Sequence, residues 1–126
     1  MVNPKQQAKA RFSQRAFSLI NYKIVITIPY HMQNEFFEWD DDKADANYRK
    51  HGVSFDEACT VFDDAFVVTE EDDREDYGEL RLNSIGLSCK GRLLSVIWTP
   101  RRSKNRLISA FIPDKAQRKY YEQQKH

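Results

Sequence analysis

Arg81, Arg92, Arg101, Arg102, Lys104 and Arg106 follow one another in a stretch that carries almost no acid. Side chains of this type hold anions, and a rim of them suits the phosphates of a nucleic acid. Arg101, Arg102 and Lys104 share one loop, whereas Arg81, Arg92 and Arg106 stand inside or at the start of apolar segments. An arginine within a strand needs either a carboxylate partner or an anionic ligand. Glu79, two residues before Arg81 and so on the same face of an extended chain, could be that partner or a base held beside a cation. His51 is of the residue type most often used for proton transfer. It also stands one turn after Asn47, where a satisfied buried hydrogen bond is the plainer role. Trp98 beside the basic loop offers either core packing or a face for a base to stack on.

The elements that would position these groups are legible from Met32 onward. Phe36–Trp39 reads as a short strand. Asp40 caps a helix with Asp41 and Asp42 in its first turn and Lys50 and His51 in its last, and Gly52 ends it. Ser54-Phe55-Asp56-Glu57 is a capping box opening a second helix to about residue 63, with Phe55, Ala58, Cys59 and Phe62 as one stripe. Phe66–Thr69, Leu80–Ile85, Leu93–Thr99 and Leu107–Ile112 read as strands joined by the acidic loop Glu70–Asp76, the turn Ser88–Gly91 and the basic loop Pro100–Asn105. Asp114 then caps a final basic helix through about Gln123, where Tyr120 and Tyr121 either dock it or, with Lys115, Arg118 and Lys119, offer a phenol and positive charge. The expected fold is α+β: a small two-layer domain with an N-terminal helix pair packed on an antiparallel sheet of about four strands, and a C-terminal helix.

Composition bounds the function. The chain has 126 residues, 40% of them hydrophobic and 31% charged, which is one domain and neither a fibre nor a disordered tail. The net charge of +1 conceals blocks of +5 over residues 1–31, −13 over 32–79 and +9 over 80–126. The basic end points to a polyanion. Two cysteines, Cys59 and Cys89, without paired neighbours are read as small apolar fillers rather than a disulfide or zinc framework. No apolar run reaches the ~20 residues of a spanning helix, so no segment is expected to cross a membrane, and the cysteine usage fits a reducing cytoplasm. Residues 1–31, basic and acid-free, are read as a non-essential extension and residues 32–126 as the domain.

Within that frame, Phe37-Glu38-Trp39-Asp40 and Asn47-Tyr48-Arg49-Lys50-His51-Gly52-Val53-Ser54-Phe55-Asp56-Glu57-Ala58 strongly resemble the BrnT family, RelE-like toxins of bacterial type II toxin–antitoxin systems. The resemblance continues through Val61-Phe62-Asp63-Asp64, Glu79-Leu80-Arg81, Ile85-Gly86, Gly91-Arg92-Leu93-Leu94 and Arg106-Leu107-Ile108-Ser109-Ala110. It implies a metal-independent endoribonuclease without a cofactor that arrests growth. It also implies a neighbouring ribbon-helix-helix antitoxin (BrnA-like) that neutralises it and alone touches operator DNA. Under that resemblance Arg81, Arg106, Glu79 and His51 are the candidate catalytic residues, and Arg92, Trp98, Arg101, Arg102 and Lys104 the candidate RNA-binding ones. Phe111 and Ile112 stand where the family usually has basic residues, and Trp98-Thr99-Pro100-Arg101 where it often has His-Thr-Glu-Arg. These departures leave open a catalytically weak or dead homologue that only binds antitoxin. A gyrase-poisoning toxin of the ParE type is the less favoured relative.

Overall fold

The structure, a computed structural model, describes residues 36–125. The extension read over residues 1–31 lies outside the described residues. Strand β1 (Phe37–Glu38) leads into helix α1 (Asp41–His51), helix α2 (Phe55–Cys59) and a 3-10 turn (Thr60–Asp63). Strands β2 (Val68–Glu71), β3 (Leu82–Leu87), β4 (Leu93–Pro100) and β5 (Asn105–Phe111) follow, then helix α3 (Lys115–Gln124).

The caps act as the sequence requires. Asp40 accepts from the backbone N–H groups of Asp42 and Lys43, and Gly52 closes α1 at φ 69°, where a side chain would be strained. Ser54 accepts from Glu57 N–H to open α2, and Asp114 forms a full capping box with Gln117 at the start of α3. The second helix is shorter than expected. Thr60 Oγ1 donates to Glu57 O at 2.6 Å, a side-chain bond to the carbonyl three residues back, and the chain tightens into the 3-10 turn from Thr60.

The sheet also departs from expectation. Four strands form the anticipated antiparallel meander, but β1 joins as a fifth, parallel to β5, giving the order β1-β5-β4-β3-β2. Asn105 N–H donates to Phe36 O at 2.9 Å to seat that added edge. A two-residue strand carries no pairing signal of its own; the pairing exists because the core draws in Phe37.

The two faces of the sheet differ. Leu82, Trp98 and Leu107 align across three strands, as do Ser84, Val96 and Ala110, and this face carries α1, α2 and the 3-10 turn over one core with Phe37, Phe55 and Phe62. Asn47 staples α1 to this face: its Nδ2 donates to Val53 O and Ala110 O, and its Oδ1 accepts from Ala110 N–H. The opposite face is covered at one end by α3, where Tyr121 packs with Ile85, Leu93 and Val68 and donates to Asp64 Oδ2 at 2.5 Å. Burial pushes the Tyr121 phenol well above its usual range, and the Asp64 carboxylate adds to the shift.

Candidate functional site

The end of that second face away from Tyr121 brings several of the candidates together. Thr99 pairs with Arg106 in the β4–β5 register, and Arg106 with Glu38 in β1. Arg81 immediately precedes β3, beside the Leu82–Trp98 pair, and alternation puts it on the same face as Thr99 and Arg106. Adjacent strands lie about 4.8 Å apart, so this row spans only a few strand spacings. Thr99 Oγ1 donates to Leu80 O at 2.7 Å and ties the β4 end to the segment carrying Arg81. Arg101, just beyond β4, reaches into the same group.

The two carboxylates here differ: Glu79 holds its cations loosely and Glu38 holds Arg106 closely. Glu79 stands 3.5 Å from Arg81 Nε and 3.5 Å from Arg101, too long for a well-formed hydrogen bond in either case. Arg81 Nε is buried without a hydrogen-bond partner, and its guanidinium lies 4.0 Å over the Tyr77 ring. Arg106 Nη1 donates to Glu38 Oε2 at 2.8 Å, with both side chains about a third exposed. Arg102 and Lys104 are on the adjoining loop, Arg102 exposed and Lys104 half-buried; the loop is closed by Arg101 N–H donating to Lys104 O. The arrangement can offer several guanidinium donors to one phosphate with a carboxylate among them.

Three candidates stand elsewhere. Arg92 precedes β4, about 30 Å of extended strand from Arg101. It makes a two-point clasp with Glu57, Nε to Oε2 at 2.7 Å and Nη2 to Oε1 at 2.6 Å, and also donates to Gly52 O. Glu57 is 2% exposed, and Arg92 with Ser88 outweighs its burial to hold its carboxyl below the usual range. Arg92 is therefore a strut between α2 and the β3–β4 hairpin, not part of an open anion rim. Trp98 is fully buried, edge-on to Phe62, with Nε1 donating to Ser84 Oγ at 2.9 Å. It has no free face for a base, so its expected stacking role is withdrawn. His51 ends α1 on the other face of the sheet and packs against Phe111, 5.7 Å between ring centres. Phe111 is five residues along β5 from Arg106, so His51 is not brought to the arginines. Its expected partner Asn47 is engaged by backbone groups instead.

The sequence reading missed two participants. Glu38 read only as part of a first strand, and Tyr77 lay unmarked beside the acidic loop; nothing local shows that either meets an arginine. Cys59 is buried as expected, but Cys89 is exposed in the β3–β4 turn. A cleft of about 540 Å³ lies among Trp39, Tyr48, Phe55, Asp41, Asp45 and Asp56. Its carboxylates make it a poor host for phosphate. Among the described residues no group of three His, Cys, Asp or Glu side chains is placed to hold a metal ion, and no helix is long and apolar enough to cross a membrane.

An α+β domain with an arginine-rich row at one end of its sheet is thus the class that fold and site define. Residues 39–116 match the model of the family described as the ribonuclease toxin, BrnT, of type II toxin–antitoxin systems, and the chain belongs to that family. Among solved structures it is similar to the Brucella abortus ribonuclease toxin BrnT, with 21% identity over 64% of this chain and 99% of that one and a TM-score of 0.48. No curated protein matches the chain.

Proposed function

We propose that this chain is an endoribonuclease toxin whose active groups are Arg81, Arg106 and Glu79, with Arg101, Arg102 and Lys104 binding the RNA backbone. The observation that carries this reading is Arg81: its Nε is buried without a hydrogen bond, and its carboxylate neighbour, shared with Arg101, stands at 3.5 Å from each. An arriving phosphodiester offers Arg81 oxygens closer than the 3.5 Å at which Glu79 stands from it and from Arg101. Released from them, Glu79 accepts the proton of the 2′-hydroxyl. The 2′-oxygen attacks phosphorus, the bond to the 5′-oxygen breaks, that oxygen takes a proton from water and Glu79 later returns its own to water, leaving a cyclic phosphate and a 5′-hydroxyl end. The nucleophile belongs to the substrate, so the step runs without a metal. Arg81 and Arg106 stabilise the extra charge on the phosphorane.

On this reading the protein acts in the cytoplasm, arrests growth, and is neutralised by a ribbon-helix-helix antitoxin through which alone it meets operator DNA. Inducing the chain without an antitoxin, and following growth and RNA integrity, tests it; arrest with intact RNA would point to a ParE-like target instead. The second reading is an antitoxin-binding module without catalysis. It is favoured by Arg81, Arg101 and Arg106 each already facing a carboxylate. Phe111 ends β5 and Ile112 follows it, at the opposite end of that strand from Arg106, and they give this second reading less support than their sequence position did. RNA cleavage by the purified chain, lost in Arg81→Ala, excludes the module.

A further inference from the structure

Resting on that reading, we infer that Tyr77 is a positioning residue: its ring supports the Arg81 guanidinium from one face and leaves the donors of that guanidinium to the RNA phosphate. Arg81 lies 4.0 Å over the ring, its backbone carbonyl accepts from Asp72 N–H at 2.8 Å, and its side chain keeps 27% of its surface open. The ring is delivered by a built loop. Asp76 Oδ1 accepts from Gly78 N–H, and Gly78 at φ +70° turns the chain so that Tyr77 and Glu79 both reach Arg81. Arg74, locked two-pronged to Asp72 at 2.7 and 2.9 Å, stands beside the Tyr77 side chain.

The choice of an aromatic support has a chemical consequence. A second carboxylate would occupy the N–H fork and neutralise the charge. A ring face attracts the cation through its quadrupole and uses none of the five N–H donors. Among the carboxylates of the described residues only that of Glu79 comes within 4.0 Å of Arg81, at 3.5 Å and shared with Arg101. Asp72 acts on it from farther off and is itself clasped by Arg74, so Arg81 is held in place yet keeps donors for a phosphate. A guanidinium displaced by a fraction of an ångström would lose much of its effect on the phosphorane.

The test compares Tyr77→Phe, which keeps the ring, with Tyr77→Leu, which removes it, in the full chain. Cleavage of a short RNA is measured beside the Kd for a 2′-O-methyl oligonucleotide that cannot be cut. The expected result is Tyr77→Phe within about twofold of wild type with an unchanged pH–rate profile, and Tyr77→Leu about 10- to 100-fold slower in kcat with a smaller effect on Kd. Loss of activity in Tyr77→Phe would make the hydroxyl, not the ring, the working group and overturn the proposal, as would full activity in Tyr77→Leu. Tyr77→Met serves the same comparison should the leucine variant fold poorly. A wild type that binds the oligonucleotide without cutting RNA refutes the nuclease reading, and the proposal is then decided by Kd alone: weakened in Tyr77→Leu but not Tyr77→Phe supports it, equal values overturn it. A wild type that does neither refutes both.

Discussion

Two arginine–glutamate pairs stand at opposite ends of β4, and they are built to opposite specifications. Arg92 grips Glu57 through two short bonds, and that carboxylate is shut away from water and also accepts from Ser88 Oγ. Glu79 lies between Arg81 and Arg101 at 3.5 Å from each, a third of its surface exposed. A closed two-point pair has spent its donors on the fold. A loose, shared and partly solvated one leaves Arg81 with donors to offer. The same two residue types thus make a strut in one place and a candidate binding site in the other, and the difference lies in distance, burial and the number of competing partners.

The largest effect that would sharpen this contrast is catalytic. Arg81→Ala and Arg106→Ala should each slow RNA cleavage by about 10²–10³, with the thermal midpoint little changed. Glu79→Gln should cost about 10² or more through the lost proton acceptor. Rates near wild type in Arg81→Ala and Glu79→Gln would break the comparison, because the loose pair would then have no use that the tight one lacks.

Arg92→Ala should do the reverse. It strands a buried carboxylate, and because Arg92 itself is 38% exposed the loss is set at about 2–3 kcal/mol, below that for a wholly buried pair. Urea denaturation reads the loss, while the rate per folded molecule stays unchanged. A rate defect in the folded fraction would make Arg92 part of the site after all.

The acid limb of stability separates the pairs more finely. Glu57 is held below its ordinary value of 4.5, chiefly by the hydrogen bond from Arg92. The folded protein therefore binds fewer protons there than the unfolded chain. This contribution is fully present above the ordinary carboxylate range and is lost as pH falls through the lower folded value. Asp72, lowered by Arg74, has the same sign. Glu57→Gln should flatten the stability profile below about pH 4.5; an unchanged acid limb would show that the clasp contributes nothing.

The smallest effect belongs to Trp98. Trp98→Phe should lose about 1 kcal/mol with the bond to Ser84 and leave cleavage within twofold. Acrylamide quenching of Trp98 should be low and unaltered by RNA, since no face of the indole meets solvent. Protection by RNA would return it to the candidate interface.

Much of the fold was readable in advance because its signals are local. Asp40, Ser54 and Asp114 cap helices through atoms two or three residues away, Gly52 ends one through its own φ, and the strands carry their apolar runs. The parallel edge was not readable, since Phe37–Glu38 meets Asn105–Arg106 only through the folded core. The site divided the same way. Arg81, Glu79, Arg101 and Arg106 were named as cations and a carboxylate from type and alternation. Their separation from Arg92, and the parts of Glu38 and Tyr77, were hidden because those partners are joined across loops or across the sheet.

The sequence by itself determined the element types, the family and the supply of arginines, all of which depend on a residue and its near neighbours. Only the tertiary structure decided which of those arginines keep donors to give. That depends on whether a carboxylate from a distant segment, such as Glu57 thirty-five residues before Arg92, arrives at hydrogen-bonding distance in a dry place or stops short of it in a wet one.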